Sequence, residues 1–74
     1  MPSLPSISGA QVIRAFQNGG WRKDRQHGSH VILVKSGKVA SLSVPLHREV
    51  APGTLRSLIR ISGMQVNDFL RLLH

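Results

Sequence analysis

The sequence predicts a two-layer α+β domain: a three-stranded antiparallel sheet with helices on one face and water on the other. Three observations carry this. Apolar residues recur at helical spacing near both ends, as Val12, Ile13 and Phe16 and again as Val66, Phe69, Leu70 and Leu73. Between them Ala40, Leu42 and Val44 alternate with Val39, Ser41 and Ser43, the period of a strand with one buried and one wet face. The pairs His27-Gly28 and Ser36-Gly37 punctuate the middle of the chain as turns.

Taken in order, residues 1–7 hold two prolines and two serines and are expected as a loosely held arm before a single domain at 8–74. Ser8 and Gln11 have the spacing of a capping box, in which each side chain bonds the other's backbone N–H. The first helix is therefore expected at Gly9 to Asn18, stopped by Gly19 or Gly20. Strands are expected at Trp21 to Arg25, Ser29 to Lys35 and Lys38 to Val44, and Pro45 ends the last by removing a ladder donor. A loop, Leu46 to Ala51, carries His47, Arg48 and Glu49. Pro52 suits the first position of a second helix. Leu55, Leu58, Ile59 and Ser62 make its inward stripe, Arg56 and Arg60 share another face, and Gly63 caps its end. A short closing helix follows.

Charge is the strongest compositional signal. Lys and Arg number 10 against 3 acids, a formal net charge of +7 over 74 residues. Most of these cations are Arg, whose planar fork of donors matches phosphate better than an ammonium does. A small domain so basic is expected to meet a polyanion, nucleic acid being the common one. A solubilising basic surface, or one that docks an acidic protein, has the same composition. The chain has no Cys, which excludes disulfides, thiolate metal sites and cysteine catalysis. The opening Met1-Pro2-Ser3-Leu4-Pro5 lacks the basic and apolar regions of a signal peptide, and no apolar run is long enough to cross a bilayer, so the cytosol is the expected compartment.

Four histidines invite a metal reading. His27 and His30 are three apart, but residues so spaced along one strand point to opposite faces. With no Cys and scattered acids, no metal or other cofactor is expected. No Gly-x-Ser-x-Gly elbow offers a nucleophile, and Gly19-Gly20 precedes a strand rather than a helix, so it cradles no phosphate. The run Arg25 to His30 differs, because it sets basic, amide, hydroxyl and imidazole groups on a glycine turn. His30 shares parity with Ile32 and Val34, which allows a core-facing ring, although at a strand's edge a ring can also reach water. It is read either as a histidine bonded to backbone at the sheet's end or as a general acid or base.

The segment Gly20-Trp21-Arg22-Lys23-Asp24-Arg25-Gln26-His27-Gly28-Ser29-His30 resembles the Gly-aromatic…Arg-Gln-x-Gly-Ser-His motif of HicA-type toxins. Val44-Pro45-Leu46-His47 is similar to that family's Val-Pro-x-His element, and Pro52 to Ile59 to its Gly-Thr-Leu-x-x-Ile helix start. Ser8 to Phe16 and Gly63 to Leu73 resemble its opening and closing helices. Trp21 stands where Phe is usual, and His27 fills a variable position.

The resemblance implies a double-stranded-RNA-binding-like α-β-β-β-α fold and an mRNA interferase that cuts mRNA without a metal cofactor. It also implies a HicB-type antitoxin partner that covers the active face. The residue matching the family's catalytic histidine is His30. Arg22, Lys23 and Arg25 flank the turn and are candidates to support phosphate charge, with Ser29, His47, Arg56 and Arg60 as further RNA-binding candidates. Trp21 reads as a core aromatic, with base stacking as the alternative. Two other classes share the fold and charge: a module that holds structured RNA without cutting it, and a basic protein-docking domain.

Overall fold

The computed structural model describes residues 3–73. The order is α1 (Gly9–Asn18), β1 (Arg22–His27), β2 (His30–Val34), β3 (Leu42–Pro45), α2 (Pro52–Ser62) and α3 (Val66–Arg71). The strands form one antiparallel sheet in the order β1-β2-β3, and the apolar faces of the helices pack on one side of it. This is the expected α-β-β-β-α arrangement.

The capping box forms as its residues dictate. Ser8 Oγ accepts from Gln11 N at 3.2 Å, and Gln11 Oε1 accepts from Ser8 N at 2.9 Å. Gly9, the first residue of α1, lies so close to the chain after β3 that a Cβ there would stand 2.0 Å from the Pro45 carbonyl oxygen. The approach lets Gly9 N donate to His47 O at 2.9 Å, and Val50 N donates to Ile7 O at 2.8 Å. Within the stretch read as an arm, Ile7 is buried in the core and Leu4 packs against it, while Met1 and Pro2 lie outside the described residues.

Phe16 sits at the centre of the core. Its ring meets Phe69 at 5.0 Å between centroids and Trp21 at 6.2 Å in an edge-to-face contact. Trp21 is 3% exposed, so it is a core aromatic and offers no stacking surface to a base. Leu55, Leu58, Ile59 and Ser62 line the inward face of α2, and Gly63 closes that helix with φ 82°, a left-handed value that glycine adopts without steric cost. Ser62 is buried with both roles of its hydroxyl used, donating to Ile59 O and accepting from Met64 N.

Three strand expectations are corrected. Trp21 is turned into the core before β1 begins, and β1 runs on to His27 because that residue pairs with His30. β3 starts only at Leu42, since its ladder with β2 begins at Leu33 opposite Leu42; Val39 and Ala40 are exposed ahead of it. In β2 the buried pair is Val31 and Leu33, opposite the buried Val44 and Leu42. Ile32 and Val34 are only half-buried on the other face. The parity that His30 shares is therefore that of the open face, and a core-facing ring is ruled out.

Candidate active site

β1 and β2 are joined by a two-residue turn, Gly28-Ser29. Gly28 has φ 62°, while among the described residues none other than glycine has positive φ, so Ser29 does not. That combination belongs to a turn with glycine first, whose twist suits the strands it joins. Gln26 Nε2 donates to Gly28 O at 3.1 Å, and Leu46 N donates to Ser29 O at 2.8 Å. The second bond ties the turn to the segment that carries His47.

Register decides which side chains share the open face. Directly opposed residues in an antiparallel pair lie on the same face. The pairs are Arg22 with Val34, Lys23 with Leu33, Arg25 with Ile32, Gln26 with Val31 and His27 with His30. Asp24 is the extra residue of a bulge between Lys23 and Arg25. The bulge shifts the alternation by one position. It puts Arg22, Arg25, His27 and His30 on the open face with Ile32 and Val34, and assigns Lys23 and Gln26 to the parity of Leu33 and Val31. All six β1 residues are nonetheless exposed on this edge strand.

The structure thus gathers His30, Arg25 and Ser29 at one end of the sheet. Arg22 lies on the same face but about four residues further along, roughly 13 Å at strand rise. His47 is exposed on the neighbouring loop, its backbone fixed by the bond from Gly9. Arg56 and Arg60 are exposed on α2, in the other layer, so the sheet separates them from the face of His30. Arg25 Nη1 lies 2.6 Å from Asp24 Oδ2, an exposed pair that contributes little to stability. The imidazole of His30 has no hydrogen bond or ion pair to a described residue, so it is not a histidine bonded to backbone at the sheet's end.

His27 and His30 lie on either side of the Gly28-Ser29 turn, so the opposite-face rule for residues three apart along one strand does not apply to them. They are not on one strand but face each other across the turn, and so share a face. Among the described residues no cluster of three or more His, Asp or Glu is arranged to hold a metal ion. A shallow groove of about 430 Å³ lies elsewhere, between Ser41 and Ser43 beside the free edge of β3 and Thr54, Ser57 and Ile61 of α2. It has no titratable group in its lining. No helix among the described residues is long and apolar enough to cross a membrane.

Fold and surface together define a small basic α+β domain with an unengaged histidine and arginines on the open face of its sheet. The comparison with family models gives that class a name. The model for the HicA toxin of bacterial toxin–antitoxin systems matches residues 9–64, well over half the chain, and the protein belongs to that family. A partner antitoxin follows from membership. The comparison with curated proteins returns no match.

Proposed function

We propose that this HicA-family toxin is a metal-independent endoribonuclease that cuts mRNA, with His30 as a general acid or base. The observation that supports it most is the exposed, unpartnered imidazole of His30 on the open face, with Arg25 one open-face position away on the adjoining strand. RNA carries its own nucleophile, the ribose 2′-hydroxyl. Cleavage therefore asks the protein for proton transfer and for a cation beside the phosphorane, and an imidazole with the neighbouring Arg25 guanidinium supplies both. Arg22, Arg25 and the Ser29 hydroxyl act on the substrate backbone in this reading. The net charge of +7 draws it to the surface. A HicB-type antitoxin silences the toxin by covering the same face.

The test is incubation of the purified protein with a mixed RNA in chelator, with the cut ends mapped. His30→Ala should lower the cleavage rate by on the order of 10²–10⁴ while circular dichroism stays unchanged. A folded alanine variant that cuts at the parent rate would remove His30 from the chemistry. RNA bound but never cut by the parent would instead support the non-catalytic binding module.

A further inference from the structure

The pairing of His27 with His30 carries a consequence for the reaction. The two residues directly oppose each other and close the hairpin around Gly28-Ser29. Opposed residues hold their Cβ atoms about 4.5–5.5 Å apart on one face. Both histidines are exposed, and neither ring is bound to a described residue. Two imidazoles so placed can reach both sides of one phosphodiester. Resting on the reading of His30 above, we propose that His27 is a second catalytic residue, and that His27 and His30 act as an acid–base pair on the scissile phosphate.

The proton balance requires two roles. The 2′-oxygen forms a bond to phosphorus as its proton passes to the neutral imidazole. The bond from phosphorus to the 5′-oxygen breaks as the other histidine, an imidazolium, gives that oxygen a proton. The products are a 2′,3′-cyclic phosphate and a 5′-hydroxyl. The protein ends with its two protonation states exchanged, and water restores them. One histidine cannot hold the proton-poor and proton-rich forms at once, whereas a pair can. Imidazole is the side chain whose ordinary titration range allows both forms near neutral pH. The charged or titratable groups on the segments next to the pair are Asp24 and Arg25 of β1, and His47, Arg48 and Glu49 on the loop bonded to Ser29. From β2 and β3 the neighbours are Ile32, Ser43 and Pro45, which carry no charge.

The experiment compares the parent with His27→Gln, His30→Gln and His47→Gln. Each cuts a short RNA with one cleavable linkage under single-turnover conditions from about pH 5 to 8. The parent rate should be bell-shaped in pH. His27→Gln should lose one limb of the bell and fall by on the order of 10²–10⁴, with RNA affinity and circular dichroism unchanged. A second substrate carries sulfur in place of the 5′-oxygen. A thiolate leaves without a proton, so the variant lacking the acid should recover on it and the variant lacking the base should not. That split names the role of each histidine.

The pair is overturned if His27→Gln keeps the parent's rate and bell while His30→Gln is inactive. It is also overturned if neither variant recovers on the sulfur substrate, or if the lost limb belongs to His47→Gln. If His27→Gln and His30→Gln both cut at the parent rate, the reading of His30 itself fails.

Discussion

Replacing Gly9 by Ala should unfasten the start of α1 from the loop that carries His47. A Cβ at this position would stand 2.0 Å from Pro45 O and 3.0 Å from both Pro45 C and Leu46 Cα. All three are backbone atoms, so no side chain can swing aside. A carbon and a carbonyl oxygen need more than 3 Å, so the helix start and the loop must separate by about 1 Å or more. Forced overpacking of this kind costs about 1–3 kcal/mol. Separation also weakens the bond from Gly9 N to His47 O, worth roughly 0.5–1.5 kcal/mol. Alanine returns up to about 1 kcal/mol as the better helix former. The net loss is about 2 kcal/mol, which for a domain of this size lowers Tm by roughly 8–16 °C. Gly53→Ala is the control. A Cβ at Gly53, in the first turn of α2, meets nothing within 4 Å. That substitution should hold or slightly raise Tm. Thermal unfolding followed by circular dichroism reads both. A Gly9→Ala protein melting within a degree or two of the parent would refute the steric argument.

RNA binding should weaken steeply with salt. If about four cations meet phosphates of a single strand, log K falls against log salt with a slope near −3, as a filter-binding titration would show. Arg22→Ala with Arg25→Ala should flatten that slope by about 1.4, while Arg56→Ala with Arg60→Ala, in the other layer, should leave it unchanged. A slope independent of salt in the parent would point to a protein-docking surface instead. A bound antitoxin should slow amide exchange across Arg22 to His30 and Leu46 to Arg48 together, because the bond from Leu46 N to Ser29 O joins the two segments. Protection confined to Val66–Arg71 would mean inhibition at a distance from His30.

Local chemistry made much of this fold readable. The Ser8/Gln11 capping box, the stripe Leu55, Leu58, Ile59 and Ser62, and the left-handed Gly63 are each set by residues within one or two turns of one another. The strands were less legible, for a physical reason. Val31 to Val34 are four apolar residues in a row, so no alternation marks which pair faces the core. The choice is made by the opposing Leu42 and Val44, and the face of His30 follows from it. Likewise nothing in the run Arg22 to His27 marks Asp24 as a bulge. Strict alternation would set Arg22 apart from Arg25 and His27, whereas the bulge unites them. Separation of Arg56 and Arg60 from that face is a matter of layers, which no local pattern encodes.

The bulged strand β1 is also an outer edge of the sheet, and among the described residues one row of its amides and carbonyls has no neighbouring strand. Such a row invites another chain to extend the sheet, and charge and irregularity are the common deterrents. β1 has both, since Arg22, Lys23 and Arg25 repel a second copy of themselves and the kink at Asp24 spoils a straight seam. The opposite border is protected differently: β3 has only four residues and ends in a proline with no amide hydrogen to offer. The guanidiniums proposed to meet the substrate thus also sit where charge deters edge-to-edge pairing between separate molecules. Variants that neutralise them should be judged for colloidal behaviour as well as for affinity, since a drop in apparent binding could report lost monomer rather than lost contact.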